Sequence, residues 1–123
     1  MYLVDTSVWI EHFRRKDPAL VEALENQFVV CHPHIVGELA LGSLSDRALV
    51  LAMLRNLPSL PVADDAEVQH MIENHGLHGR GIGYIDAHLL ASALIGGTVK
   101  IWTADRRLAD VATTFGLAAM DVR

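Results

Sequence analysis

The sequence predicts an α/β fold built on a mainly parallel sheet, and three observations carry that expectation. Short apolar runs, of strand length, recur along the chain. Longer stretches with helix-capping signals stand between them. Strands separated by helices tend to pair in parallel, because a parallel neighbour needs a long crossover. The 123 residues suit one domain, 1–123, and a hydrophobic fraction of 51% supplies a core. No repeat, low-complexity segment or linker divides the chain.

The elements follow in order. "YLV" at 2–4 is the first strand. Asp5, Thr6 and Ser7 come next, with side-chain oxygens suited to a turn or N-cap before a helix over 8–13. "DPALVEALEN" at 17–26 starts a helix with Asp17 as N-cap and Pro18 at the first helical position. "FVVC" at 28–31 is a second strand, and its Cys31 reads as a small buried hydrophobe. "PHIVGELALG" at 33–42 and "DRALVLAMLRN" at 46–56 are helical. "SLPV" at 59–62 is a weaker strand that Pro61 restricts to an edge. "DDAEVQHMIENHG" at 64–76 has Asp64 and Glu67 in capping-box spacing and Gly76 as a stop. "YIDAHLLASALIGG" at 84–97 is a helix ending in a glycine pair, and "VKIWT" at 99–103 is a strand. "ADRRLADVATTFG" at 104–116 is the last helix, before a final strand "LAAM" at 117–120.

A net charge of −5 argues against a protein that coats nucleic acid. It agrees with acids gathered around a divalent cation, which restores positive charge locally. No apolar stretch is long enough to span a membrane, and the start of the chain lacks a signal-peptide pattern. A single cysteine forms no internal disulfide, so the cytoplasm is the expected setting.

Four acids stand where simple packing does not explain them. Asp5 and Asp105 each follow a strand, and ligands of parallel sheets collect beyond the carboxyl ends of strands. Asp5 also reads as a cap, and Asp105 as an acid favoured at a helix start, with Thr103 able to cap. Asp86 falls on the helical arc of Leu89, Leu90, Ala93 and Leu94. A buried carboxylate is costly unless it is paired or holds a metal, although a first-turn position also favours an acid. Glu38 is mid-helix, with Ile35, Leu41 and Gly42 on its face and His34 one turn before it, and its alternative is a buried ion pair with a distant arginine. Together the four suit an oxygen-only site for Mg²⁺ or Mn²⁺. Such an ion activates water and stabilises charge on a phosphoryl group, so phosphodiester hydrolysis is the leading chemistry.

The motifs in sequence are "YLVDTSVWIEHF", "HIVGELALG", "GIGYIDAHLLASA" and "IWTADRRL". In this order and spacing, over nearly the whole chain, they resemble the PIN-domain family, in particular the VapC-type ribonuclease toxins of bacterial toxin–antitoxin pairs. The resemblance implies a three-layer α/β/α sandwich. It implies a metal-dependent endoribonuclease in which Asp5, Glu38, Asp86 and Asp105 hold Mg²⁺ (or Mn²⁺), supported by Thr6 and Thr103. It further implies a VapB-type antitoxin as partner, RNA as substrate, and a homodimer. Arg80, in "HGRG" before the Asp86 helix, is the foremost candidate for RNA contact, followed by Arg106, Arg107 and Arg14. Arg15 and Lys16 read as solvated charge.

Most histidines read as structural, while His34, one turn from Glu38, is a candidate to support that acid. His75 lies on the Val68-Met71-Ile72 stripe, His88 points toward the Ser92 side of its helix, and no zinc site is expected. Two rivals remain. A phosphatase with an aspartate nucleophile typically has a second Asp two residues on, where this chain has Ser7. A catalytically silent module would use the same acids to receive a basic partner peptide, and would need no divalent ion.

Overall fold

Tyr2, Leu3 and Val4 are flanked by apolar runs of similar length, and the three runs pair into one sheet. The computed structural model describes residues 1–119. Strands β1 (Tyr2–Val4), β2 (Val29–Val30) and β3 (Lys100–Trp102) form a parallel sheet in the order β2-β1-β3. Tyr2 pairs with Val29 and Lys100, and Val4 with Trp102. Isolated parallel bridges extend both edges, Cys31 to Ser59 and Ile101 to Ala118.

Seven helices among the described residues flank this sheet in an α/β/α arrangement: α1 (Thr6–Arg14), α2 (Pro18–Glu25), α3 (Pro33–Ala40), α4 (Arg47–Asn56), α5 (Asp65–His75), α6 (Tyr84–Gly96) and α7 (Arg106–Thr114). Asp17 caps α2 with Pro18 at its start, as the sequence indicates. Asp64 and Glu67 form the expected capping box on α5, and Gly76 closes that helix at φ +59°. The strands are shorter than their apolar runs. Of "FVVC", Val29 and Val30 join the ladder, while Phe28 is half exposed. "SLPV" contributes one bridge at the edge beside β2, where Pro61 confines it. "LAAM" contributes one bridge through Ala118, and its Met120 lies outside the described residues.

The core is a single cluster including Leu3, Val4, Trp9, Leu20, Ile35, Leu39, Leu54, Leu90, Ile101 and Leu108. Helix α6 runs through it, buried at every residue from Ala87 to Ser92 and on to Ala93. The one-sided arc expected for this helix is therefore replaced by burial all round, and Leu94 from that arc is 40% exposed. Tyr84 and His88 tie α6 to α5 through Asp65, with distances of 2.9 and 3.2 Å to the same carboxylate oxygen.

Candidate active site

Parallel strands end on the same side, so β1 and β3 deliver their next residues side by side. Asp5 follows Val4 and Thr103 follows Trp102. The hydroxyl of Thr103 donates to Asp5 Oδ2 at 2.5 Å. Asp5 Oδ1 accepts from the Ser7 amide at 2.8 Å and the Ser7 hydroxyl at 2.5 Å. Asp5 is thus both the N-cap of α1 and a buried carboxylate fixed at both oxygens. Such charge-assisted bonds are about twice as strong as neutral ones.

Ser7 and Thr103 also knit the two strand ends together. Ser7 Oγ accepts from the Ala104 amide, and Thr103 Oγ1 accepts from the Asp105 amide, each at 3.0 Å. Asp105 itself caps α7, its carboxylate accepting from the amides of Arg107 and Leu108. Thr103 is therefore not the cap of that helix. Its hydroxyl is shared between two of the acids.

Glu38 lies on α3 and is exposed, not inward-facing as its expected apolar face implied. Leu41, from that face, is 90% exposed because α3 stops at Ala40. The buried side of α3 is Ile35 and Leu39. Glu38 instead faces a cleft of about 550 Å³ lined by Ile10, Phe13, Arg14 and the 42–46 loop. Thr6 donates to its Oε1 at 2.7 Å.

Asp86 is in the first turn of α6, half-buried, and accepts from the Gly83 amide at 3.1 Å. Burial raises its pKa above the ordinary carboxylate value. The Gly83 bond opposes this, while the negative charges of Asp5, Asp105 and Glu38 push in the same direction as burial. Those three acids affect Asp86 because all four side chains, from four elements, occupy one region. The donor set is all oxygen, which fits a hard divalent cation in kind. No three Asp, Glu, His or Cys side chains among the described residues are grouped to hold an ion as they stand. Each acid has its own hydrogen-bond donors.

The arginines divide. Arg14 lines the Glu38 cleft and pairs with Glu11 at 3.3 Å. Arg106 lines a smaller cavity of about 350 Å³ with Thr103 and Asp105. Arg80 is exposed on the loop between α5 and α6. Arg107 lies over Gly81 of that same loop: a Cβ at Gly81 would come within 2.6 Å of Arg107 Cδ.

Ser7, expected only as a turn or capping residue, and His32 take parts that the sequence does not assign them, and Asp5 rather than Ser7 caps α1. Ser7 was legible as an aspartate turn, in which a carboxylate accepts from the amide two residues on. His32 was marked by Pro33, which suits the first position of a helix and so makes its predecessor the cap. His32 caps α3, accepting from the His34 amide at 3.1 Å. His34 packs its ring against both His32 and His88, so it belongs to this histidine cluster.

Two comparisons bear on this arrangement. The family model described as PIN domain matches residues 2–113. Ribonuclease VapC32 of Mycobacterium tuberculosis, in strains CDC 1551 / Oshkosh and ATCC 25618 / H37Rv, is 46% identical over 118 residues. That match covers 96% of this chain and 95% of the relative.

Proposed function

The chain belongs to the PIN-domain family and its VapC-type branch, and from that premise we propose that it is a metal-dependent endoribonuclease, the toxin of a type II toxin–antitoxin pair. The observation that carries this reading is the meeting of acids at the carboxyl end of the sheet, where Thr103 bonds both Asp5 and the Asp105 amide and Thr6, next to Asp5, bonds Glu38, with Asp86 under the charge of all three. The name of the relatives, Ribonuclease VapC32, agrees with it.

In this reading Asp5, Glu38 and Asp86 would hold Mg²⁺ or Mn²⁺, and Asp105 would hold a second ion or orient water. The bound ion supplies activation of water and stabilisation of phosphate charge. The chain's own residues do the positioning. Ser7 and Thr103 fix the Asp5 carboxylate, Thr6 turns Glu38, and Thr103 couples Asp5 to the start of α7. Arg80, Arg106 and Arg14 meet the RNA backbone, since phosphate contacts set register rather than sequence. Arg107 joins them from its seat on Gly81. The partners are a VapB-type antitoxin and RNA, the active form is a homodimer, and the setting is cytoplasmic. No described helix is long and apolar enough to cross a membrane.

The test is cleavage of total cellular RNA by the purified chain with EDTA, Mg²⁺ or Mn²⁺, beside Asp86→Asn. Discrete metal-dependent fragments that vanish in the variant are expected. A second reading is a silent module in which the same acids receive a basic peptide and no divalent ion is needed. A folded chain that neither cuts RNA nor binds a divalent ion would establish that reading instead.

A further inference from the structure

A short polar side chain at a helix N-cap satisfies free amides of the first turn. The cap of α3 is instead an imidazole with no solvent exposure. Its Nδ1 accepts from the His34 amide, so the ring proton resides on Nε2. Nε2 then donates to Ser92 Oγ at 3.0 Å, and Ser92 is equally buried in the middle of α6. A serine or aspartate at position 32 would cap α3 but would not reach α6. The ring stays neutral because burial holds its pKa down to about 4, with His34 and His88 adding to the effect. Only the neutral ring can accept at one nitrogen while donating at the other.

The two helices joined this way are those that bear Glu38 and Asp86. Glu38 lies six residues after His32, and Asp86 six residues before Ser92. We propose that His32 is a positioning residue for the acidic cleft, setting the Glu38 helix against the Asp86 helix through its two ring nitrogens. The inference rests on the cation-binding reading above and deepens it. Exposed Glu38 is held by one hydroxyl, from Thr6, so its place depends on where its helix sits. A buried hydrogen bond fixes that place more sharply than apolar packing, because breaking it strands a donor away from water.

The experiment measures Mn²⁺ affinity and thermal melting of the full chain. The double variant His32→Asn with Ser92→Ala keeps a capping oxygen and leaves no orphaned hydroxyl, yet removes the tie between helices. It should melt close to wild type and bind Mn²⁺ about tenfold more weakly, as losses of ligand-orienting partners do. Ser92→Ala alone, which leaves the cap intact, should weaken binding in the same direction and covers the case in which the double variant fails to fold. His32→Ala should lower both melting temperature and affinity, and His32→Asn should recover part of the first without the second. If wild type binds Mn²⁺ and the folded variants bind it equally well, His32 is a structural cap and the inference is overturned. If wild type itself binds no divalent ion, the functional reading fails and takes this inference with it.

Discussion

Asp86 carries opposing demands within one carboxyl. Burial and three neighbouring negative charges hold its native pKa above the unfolded value. The native state therefore binds more protons just above the ordinary carboxylate range, and stability falls there as pH rises. Without divalent ions, Asp86→Asn should melt higher than wild type at neutral pH, by a few degrees at most because solvent screens a half-exposed group. That advantage should vanish in acid, where both side chains are neutral, and melting curves at several pH values will check it. Thr103 makes the contrary case. It is buried and serves Asp5 and Asp105 together. Thr103→Val should cost about 1–3 kcal/mol in urea unfolding, because it leaves a buried carboxylate oxygen without its donor. The four acids stand out in the sequence because a carboxylate at a strand end or beside apolar neighbours conflicts with packing, although Glu38 proves to be exposed and meets no such conflict. Ser7 and His32 raised no such conflict, since a serine in a turn and a histidine before a proline are ordinary. Their importance lies in partners distant along the chain, Ala104 and Ser92, which local patterns do not reveal.

Helix termini were read well, because caps are local chemistry: Asp17, Asp64 and Gly76 act where expected. Helix faces were read less well. The apolar pattern that gives Glu38 an inward face requires α3 to continue through Gly42, but the helix ends at Ala40 and Leu41 turns to solvent. The arc that holds Asp86 belongs to a helix whose middle is buried on every side, so periodicity there carries little information. The loop before α6 has its own requirement. Gly81 has φ +84° and lies under the Arg107 side chain. Gly81→Ala should destabilise the chain by about 1–3 kcal/mol, combining backbone strain with the clash. Adding Arg107→Ala should relieve the clash but leave the strain. Unfolding of both single variants and the double should therefore give less than the sum of the two losses.

Across the molecule, a net charge of −5 and the negative neighbours of Asp86 leave room for a cation to stabilise the proposed enzyme. Millimolar Mg²⁺ should raise its melting temperature by mass action, with no comparable gain for Asp86→Asn. Differential scanning fluorimetry across a Mg²⁺ titration would show it. The fold class followed from the alternation of apolar runs and capped helices. The sheet order β2-β1-β3 did not, because it depends on which parallel neighbours each strand selects. That order has a consequence for synthesis. The central strand comes from the start of the chain and its partner β3 from near the end, so the Thr103–Asp5 bond joins residues 98 positions apart. While the ribosome is still translating, Asp5 has emerged without Thr103, and the cleft cannot close around it. The acidic end of the sheet therefore assembles late in the growth of the chain, once the segment bearing Thr103 has joined the first strand.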